Sequence, residues 1–430
     1  MNIIIFSHFY DIDGVIGSVR WTSFAKRLSL NNNVIVVTHR SNSGGEIETI
    51  NGIKTIYFDD ECDYVKRKKR PASQNVPAAN TTAVENKSRK TNELRIWLKT
   101  FLYMTSMKVT AKKNNRKLLS ILKKESIEVD YIASTSRPFI GALNGYYLCK
   151  AKKAKWLLDQ RDLPYSDIVI HKNEQSFYKA EFKKFNKYVS KYTLVSKGMA
   201  ESFIELMGED FRDKVSVLYN GYNEEIEKTD NGIKNNKLSF SCVGDLYDGL
   251  RDAGMLLDTL SRMIKDGVVT KENIQIDYAG SDCSSLIRSA ERFGLRDVII
   301  NHGRVKHSEA VEIQNEANFS ILLTWNTDVY KGNLPGKFYE CMMVKKPIIC
   351  LSSGNVPDGE AQMMVNDYRL GIGVSYACYE ESVALLYQYL QDQFYSLQSN
   401  HRLIYDPIIE EVNKFNYDSL TVALEKIIKA

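Results

Sequence analysis

The chain has 430 residues, which is too long for one compact α/β core of the usual size, so we expect two domains. Hydrophobic residues make up 43% and charged residues 26%, and no apolar run approaches the ~20 residues that span a bilayer, which argues against a transmembrane protein. The net charge is +5, but 17 Lys and Arg against two acids between Lys66 and Lys124 leave the rest of the chain at −10. Because the basicity belongs to one segment, we expect a positively charged attachment surface and no nucleic-acid-binding fold.

The first forty residues have the pattern of a βα unit followed by a second strand. The predicted elements are a strand at Asn2–Ser7, a loop at 11–18, a helix from about Val19 to Ser29 and a strand at Val34–Val37. Gly14 and Gly17 give the loop a GxxG spacing and not GxGxxG, which argues against an NAD-dependent dehydrogenase. A ligand-binding loop and a tight turn without a ligand both fit this spacing. The apolar start is too short for a signal peptide, so we expect a cytoplasmic chain.

A basic and polar segment follows the third predicted strand at Ile53–Phe58. Residues 66–70 are all Lys or Arg, and the stretch from there to about Asn92 is too polar to bury a core, so we expect a loop. From Leu94 towards Lys124 the pattern is helical, with large apolar and aromatic residues first and basic residues later. Such a helix suits docking on an anionic membrane surface, and it also suits packing on the first domain with a solvated basic face.

The parallel pattern then resumes and ends in a charged turn. Strands are predicted at Val129–Ser134 and Lys155–Leu158, with a helix at Phe139–Lys150 between them. The turn Asp159-Gln160-Arg161-Asp162 follows the second of these strands. Charged residues at the carboxyl end of such a strand point into a binding crevice. An Arg161–Asp162 ion pair that only holds the loop is the alternative.

A second α/β set follows a polar stretch at 224–236, which we interpret as an interdomain linker. Its predicted elements are a strand at Leu238–Val243, the loop Gly244–Asp252, a helix to Lys265, and strands at Ile274–Ala279, Val298–Asn301 and Phe319–Thr324. Seven scattered cysteines without a CxxC pair predict no disulfide, and six histidines without ligand spacing predict no metal site.

The segment from Lys331 to Cys350 predicts a loop, a short helix and a buried strand. Asn333 is a candidate N-cap, and Pro335 is tolerated in the first helical turn. A helix start binds anions through free backbone N–H groups and the helix dipole. Gly336 lets a phosphate approach closely and Lys337 adds a full positive charge. Glu340, on the same face, can accept hydrogen bonds from two ribose hydroxyls, so the segment has the chemistry to hold a nucleotide.

The run Pro335-Gly336-Lys337-Phe338-Tyr339-Glu340, followed by Lys346-Pro347-Ile348-Ile349, resembles the donor-binding segment of GT-B glycosyltransferases of the family-four type. The resemblance implies an α/β fold with two Rossmann-like domains facing each other across a cleft and a C-terminal helix crossing back to the first domain. The implied domains are 1–223 on the acceptor side, with a basic insertion at about 64–125, 237–405 on the donor side, and the returning helix at 406–430.

The resemblance also assigns site residues. Arg251 and Lys337 stabilise the leaving diphosphate in place of a metal, so no metal and no cofactor are expected. Many members carry a second glutamate, which faces the transferred sugar, where this chain has Gly332. The resemblance therefore supports nucleotide binding more strongly than it supports binding of the sugar. The other implied donor-side residues are Gly14, Gly17, Gly244, Arg304, Val305, Leu334, Pro335, Gly336 and Glu340, and the implied acceptor-side residues are Arg161 and Asp162.

The resemblance implies a retaining glycosyltransferase that moves a sugar from a nucleotide sugar to a glycan or polyprenyl-linked acceptor in cell-surface polysaccharide synthesis. Residues 66–124 would hold it to the inner face of the cell membrane. Two alternatives stay open: a nucleotide-sugar 2-epimerase of the same fold, which has no need of a basic attachment segment, and a non-catalytic subunit that binds a partner glycosyltransferase, which Gly332 makes conceivable.

Overall fold

The computed structural model describes residues 1–12, 16–40, 44–59, 86–163, 172–223, 233, 235–328 and 331–429. The chain divides into two compact units. The first comprises Met1–Leu194, Phe203–Val217 and Leu424–Ala430, and the second comprises Val195–Ser202 and Leu218–Ala423. Within the described ranges no helix is long and apolar enough to cross a membrane.

The described part of the first unit is built on an eight-stranded sheet with the order β3-β4-β2-β1-β5-β6-β7-β8. Its strands are β1 (Asn2–Phe6), β2 (Asn33–His39), β3 (Gly44–Ile50), β4 (Ile53–Phe58), β5 (Tyr131–Thr135), β6 (Lys155–Gln160), β7 (Lys191–Leu194) and β8 (Val215–Val217). All neighbours pair in parallel except β3 and β4. Ile3, Ile4 and Ile5 of the central β1 are fully buried, as expected of a strand covered on both faces.

The helices of the first unit cover this sheet. They are α1 (Ile16–Leu28), α2 (Asn86–Lys124), α3 (Ile140–Lys152), α4 (Lys172–Phe185) and α5 (Lys197–Met207), whose first turn belongs to the second unit. One prediction was wrong here, and one strand was missed. The α2 helix begins at Asn86 and not at Leu94, and the edge strand β3 was not predicted.

The order of the first sheet reverses beside β1. The chain places β2, β4 and β3 on one side of β1 and then continues with β5 on the other side. In open parallel sheets, ligands bind outside the carboxyl ends of the strands at such a switch point. The residues that follow β1, β5 and β6 therefore occupy the position where this unit is expected to bind a ligand.

The described part of the second unit has a six-stranded parallel sheet with the order β11-β10-β9-β12-β13-β14. Its strands are β9 (Leu238–Val243), β10 (Ile274–Ala279), β11 (Ile299–Gly303), β12 (Phe319–Trp325), β13 (Ile348–Ser353) and β14 (Gly371–Ser375). Its helices are α6 (Gly254–Lys265), α7 (Ser284–Arg292), α8 (His307–Glu316), α9 (Gly336–Val344), α10 (Glu360–Asp367), α11 (Tyr379–Asn400), α12 (Ile409–Asn413) and the start of α13 (Tyr417–Lys429), which belongs to the first unit from Leu424 onwards. The switch point of this sheet lies between β9 and β12.

Candidate functional site

The switch point of the second sheet brings three predicted site residues together. Gly244 directly follows β9, has a positive φ of 121°, and donates its N–H to the Ala279 carbonyl at 2.8 Å. A Cβ at Gly244 would lie 3.7 Å from Cε of Lys337, so the loop passes close to that side chain. Gly244, Lys337 and Arg251 line one small cavity, which we call the Arg251 cavity. The structure therefore joins the two cations that the sequence predicted as a pair.

Arg251 contacts two aromatic rings. Its guanidinium carbon lies 4.7 Å from the ring centre of Tyr247 and 5.4 Å from that of Trp325, at the end of β12. Nη1 donates to the Asp245 carbonyl at 3.1 Å, whereas the buried Nε has no hydrogen-bond partner among the described residues. Burial lowers the pKa of Arg251, with partial opposition from Tyr247 and Asp245. A positioned guanidinium with an unused donor is suited to bind an anion.

Lys337 and Glu340 lie one turn apart on α9 and form an ion pair. Lys337 Nζ is 2.5 Å from Glu340 Oε2, and each side chain is 24% exposed. The helix begins at Gly336 with Pro335 as its N-cap, so the prediction of Asn333 as the N-cap was wrong. No side chain caps this helix start, which leaves its backbone N–H groups and the positive end of its dipole next to Lys337.

Gly332 is a close-packing position. Its φ is +67°, and a Cβ there would lie 2.5 Å from the Cα of Gly198, a separation that real Cβ atoms do not show. Ser196 Oγ donates to the Gly332 carbonyl at 2.6 Å. Buried Glu360 accepts hydrogen bonds from the backbone N–H groups of Lys197 and Gly198 at 3.0 and 2.9 Å, which fixes the start of α5 against this loop. No glutamate fits at position 332 in this backbone arrangement.

The remaining residues predicted on the donor side differ in how deeply they are buried. Leu334 and Pro335 are buried, and the Leu334 side chain belongs to the same hydrophobic core cluster as Phe338. Exposed Arg304 and half-buried Val305 follow β11 after Gly303. A hydrogen bond from Ser281 lowers the pKa of Asp245, and the charges of Arg304 and Arg251 lower it further, so these groups act on one another.

A second cavity lies in the first unit, and we call it the Arg161 cavity. It has a volume of about 410 Å³. It contains the predicted Arg161 and Asp162, and its other lining residues are Phe9, Tyr103, Ser136, Arg137, Pro138, Phe139, Tyr178 and Phe182. Arg161 Nη1 donates to the Gly17 carbonyl at 2.8 Å. Gly17 lies in the first turn of α1 and not in the predicted loop, and Gly14 lies outside the described residues.

Asp159, the first residue of the charged turn, does not point into a binding crevice. Its side chain is fully buried and is held by Arg20 Nη2 at 2.9 Å, Trp21 Nε1 at 2.8 Å and Thr193 Oγ1 at 2.7 Å. Burial alone would raise the pKa of Asp159, but the charge and hydrogen bonds of Arg20, Thr193 and Trp21 bring it below the ordinary value. Asp159 therefore stabilises the first unit.

Sequence reasoning missed Tyr247, Trp325 and Arg137. Trp325 ends a strand at the switch point and Arg137 follows another, so the rule that ligands bind at the carboxyl ends of parallel strands could have found both. In the part of the chain that the structure describes, no three His, Cys, Asp or Glu residues are placed to hold a metal ion.

No family model matches the sequence, and no curated protein matches it. Solved structures do match the whole chain. Sucrose-phosphate synthase from Thermosynechococcus elongatus matches with a TM-score of 0.58 at 13% identity, covering 100% of this chain and 98% of that one. The apo form of the lipopolysaccharide outer core galactosyltransferase WaaB matches with a TM-score of 0.53 at 13% identity, covering 100% of this chain and 99% of that one. A structure from E. coli described as trehalose-6-phosphate bound with UDP-2-fluoro glucose matches with a TM-score of 0.63 at 10% identity, covering 100% of this chain and 99% of that one.

The chain has the GT-B fold. The predicted α/β class with two Rossmann-like sheets is confirmed, whereas the family-four type stays a prediction.

Proposed function

We propose that this GT-B chain is a glycosyltransferase whose second unit binds a nucleotide sugar through the Arg251 cavity. The observation that carries the proposal is the convergence of Arg251 and Lys337 on one cavity, beside the uncapped start of α9 and at the switch point of the sheet. Two fixed cations and a helix N-terminus match a diphosphate. We keep 237–405 as the donor domain and 1–223 as the acceptor domain.

The chemistry follows from this charge arrangement. The bond between the anomeric carbon and the oxygen of the β-phosphate breaks, a bond from an acceptor oxygen to the anomeric carbon forms, and the acceptor proton passes to the departing diphosphate. The departing diphosphate gains negative charge, and Arg251 and Lys337 stabilise that charge from positions that they already occupy. Preorganised charge of this kind contributes strongly to catalysis. In this proposal the two cations take the place of a metal, and the configuration of the sugar is retained.

Glu340 gives the proposal its nucleoside-binding part. Its ion pair with Lys337 holds the carboxylate on the helix face that carries the phosphate-binding charge. Ribose hydroxyls that donate to Glu340 would place the adjoining phosphates at Lys337. The donor class is supported by a protein of the same fold that is bound to UDP-2-fluoro glucose.

We further propose a lipid-linked glycan acceptor and contact with the inner face of an anionic membrane. The support is an apolar patch on α2, whose members Trp97, Leu98, Phe101 and Leu102 are each more than 40% exposed. Lys99, Lys112, Lys113, Arg116 and Lys117 are exposed on the same helix. Aromatic and basic residues together are typical of interfacial helices. The fold is shared with a lipopolysaccharide galactosyltransferase, which supports a role in polysaccharide synthesis.

Incubation with UDP-, GDP-, ADP- and CMP-sugars, followed by assay of free nucleotide and of the sugar product, tests the proposal. A glycosyltransferase releases the nucleotide and attaches the sugar to an acceptor. An epimerase converts the sugar without lasting nucleotide release, and a non-catalytic subunit releases none. Either of the last two results, with binding of every nucleotide checked separately, contradicts the proposed transfer.

A further inference from the structure

We infer that Ser196 and Glu360 are positioning residues, which hold the loop that leads into α9 and thereby fix the phosphate-binding end of that helix. This inference rests on the proposed function, because it concerns the site that we assign to the diphosphate. Neither residue is among the described residues that line the Arg251 cavity, so each acts on a ligand only through the backbone that it holds. Both residues, the loop and α9 belong to the second unit.

The first three backbone N–H groups of α5 all have side-chain acceptors. Glu360, which is only 7% exposed, accepts from the N–H groups of Lys197 at 3.0 Å and Gly198 at 2.9 Å. Ser196 Oγ accepts from the N–H of Met199 at 3.0 Å. The Glu360 carboxylate thus lies at the N-terminal ends of both α5 and its own helix α10, where two helix dipoles favour a negative charge. The start of α5 is therefore fixed in place.

This fixed start of α5 holds the loop before α9 by direct contact. The Ser196 hydroxyl donates to the Gly332 carbonyl at 2.6 Å. A Cβ at Gly198 would lie 2.5 Å from both Cα and N of Gly332, so the two backbones already touch. Thr324 Oγ1, on β12, donates to the Asn333 carbonyl at 3.1 Å. Two successive carbonyls are therefore held before the loop enters the helix.

The loop is too short and too stiff to absorb a shift at that point. Helix α9 begins at Gly336, four positions after Gly332, and Pro335 between them has a φ of −67° that its ring fixes. A displacement of the Gly332 carbonyl would therefore move the start of α9, and with it Lys337 and the backbone N–H groups that meet a phosphate. A misplacement of ~1 Å in groups that position a substrate can cost about a hundredfold in rate.

Two substitutions break this network at different points. Ser196→Ala removes the hydroxyl that joins α5 to the loop. In Glu360→Gln the amide oxygen keeps the place of Oε1, because that atom accepts from both the Lys197 N–H and, at 2.9 Å, the Tyr219 hydroxyl. The amide nitrogen then faces the N–H of Gly198, so that two donors meet.

Isothermal titration calorimetry of the full chain with UDP, GDP and ADP measures the effect, at a temperature where thermal melts show every variant to be folded. For the diphosphate that the parent chain binds most tightly, we expect each variant to bind about tenfold more weakly. Ser382→Ala is the matched control. Buried Ser382 Oγ also donates to a carbonyl and accepts from an N–H, both of Ser375, and Ser382 is not among the described residues of the Arg251 cavity. This control should keep the parent affinity.

A double-mutant cycle separates positioning from a purely structural role. Ser196→Ala should cost clearly less affinity in a Lys337→Ala background than in the parent chain, because a group that it positions is gone, and should cost its full factor in an Arg251→Ala background. Equal losses in both backgrounds would overturn the inference, and so would variants that melt earlier but keep the parent affinity. In either case the parent chain still binds a diphosphate, and the proposed function stands. If the parent chain binds none of the three diphosphates, the proposed function fails and the inference fails with it.

Discussion

Arg251 and Lys337 reach their cavity from separate elements, the loop after β9 and the first turn of α9. We expect Arg251→Ala and Lys337→Ala each to lower turnover by about a hundredfold or more, because the loss of one preorganised charge removes ~3–4 kcal/mol of transition-state stabilisation. Initial rates of nucleotide release measure this, and thermal melts check folding. Lys265→Ala, on the exposed face of α6, is the matched control. Rates near the parent value in both variants would remove the two residues from the mechanism.

Glu340→Gln should weaken nucleotide binding by about tenfold, because a neutral amide replaces a charge-assisted acceptor of ribose hydroxyls. The substitution also removes the ion-pair partner of Lys337. The choice of ligand must therefore separate loss of the ribose contact from loss of this ion pair. Titration with a nucleoside diphosphate and with its 2′,3′-dideoxy form does so. An equal loss of affinity for both ligands would show that Glu340 acts through Lys337 and not on the ribose.

Gly332→Ala should destabilise the chain by about 2–4 kcal/mol, because the new Cβ meets Gly198 and the backbone has a positive φ. The matched control is Gly294→Ala. Gly294 has nearly the same φ, +69°, but nothing lies within 4 Å of its Cβ position, so only the ~1–2 kcal/mol backbone cost is expected there. Denaturation midpoints of both variants give the comparison. Equal shifts would mean that the loop moves to accommodate the methyl group.

The local part of the site was predictable from the sequence, and the rest was not. Lys337 and Glu340 are one helical turn apart, so a helix prediction alone places them on one face. Trp325 reaches Tyr247 and Arg251 from a distant segment, so its contacts there depend on the order of the strands, and only its place at the end of a strand marks it as a candidate. Gly332 departs from the family pattern in sequence, but its contact with Gly198 is a tertiary feature without a local signal.

At the scale of elements, the buried cluster around Asp159 ties α1 to β6 and β7. Asp159→Asn should destabilise the chain by about 3–5 kcal/mol at pH 7, because Arg20 keeps its charge and loses its counter-charge. The folded pKa lies below the ordinary 3.8, so the stability from ionised Asp159 is fully present above that pH and is lost as the pH falls through the folded pKa. The difference in urea midpoint between variant and parent should therefore narrow below about pH 4. A constant difference would contradict the ionic origin.

The elements that were predicted correctly are those with strong apolar patterns. The central strands β1 and β2 are nearly continuous runs of Ile and Val, the pattern typical of a strand that is buried on both faces. Strand β3 is an edge strand that begins with two glycines and carries exposed Glu and Thr side chains, so its pattern matches a turn as well as a strand. The start of α2 is polar, and nothing in its composition separates a solvated helix from a loop.

At the scale of the whole molecule, we expect the chain to sediment with liposomes that contain phosphatidylglycerol and not with neutral ones. Each basic residue near an anionic surface contributes on the order of 1 kcal/mol, and salt screens the attraction beyond a Debye length of ~8 Å. Trp97→Ser with Phe101→Ser should weaken sedimentation by removing exposed rings of the apolar patch. Changing Lys66, Arg67, Lys68, Lys69 and Arg70, which lie outside the described residues, to Ser should do the same.

The control for this charge removal takes five exposed lysines from elsewhere. These are Lys155, Lys187, Lys237, Lys265 and Lys426, each changed to Ser. The control variant should sediment more than the 66–70 variant, because it loses the same charge without losing the concentrated basic segment. A chain that ignores anionic liposomes even at low salt would end the membrane proposal and leave the exposed basic residues of α2 as a solvated face of that helix.

Two of the four tryptophans, Trp97 and Trp325, can report on separate surfaces of the chain through their fluorescence. Trp21 and Trp156 are fully buried in the first unit, so their emission should stay constant under native conditions. Trp325 touches the Arg251 guanidinium, and Trp97 stands exposed on the apolar patch. Binding of a nucleotide at Arg251 should change emission from Trp325, which contacts that side chain, whereas contact with lipid should shift the Trp97 spectrum to the blue. A Trp97→Phe variant would then leave Trp325 to report on nucleotide binding, and a Trp325→Phe variant would leave Trp97 to report on contact with lipid.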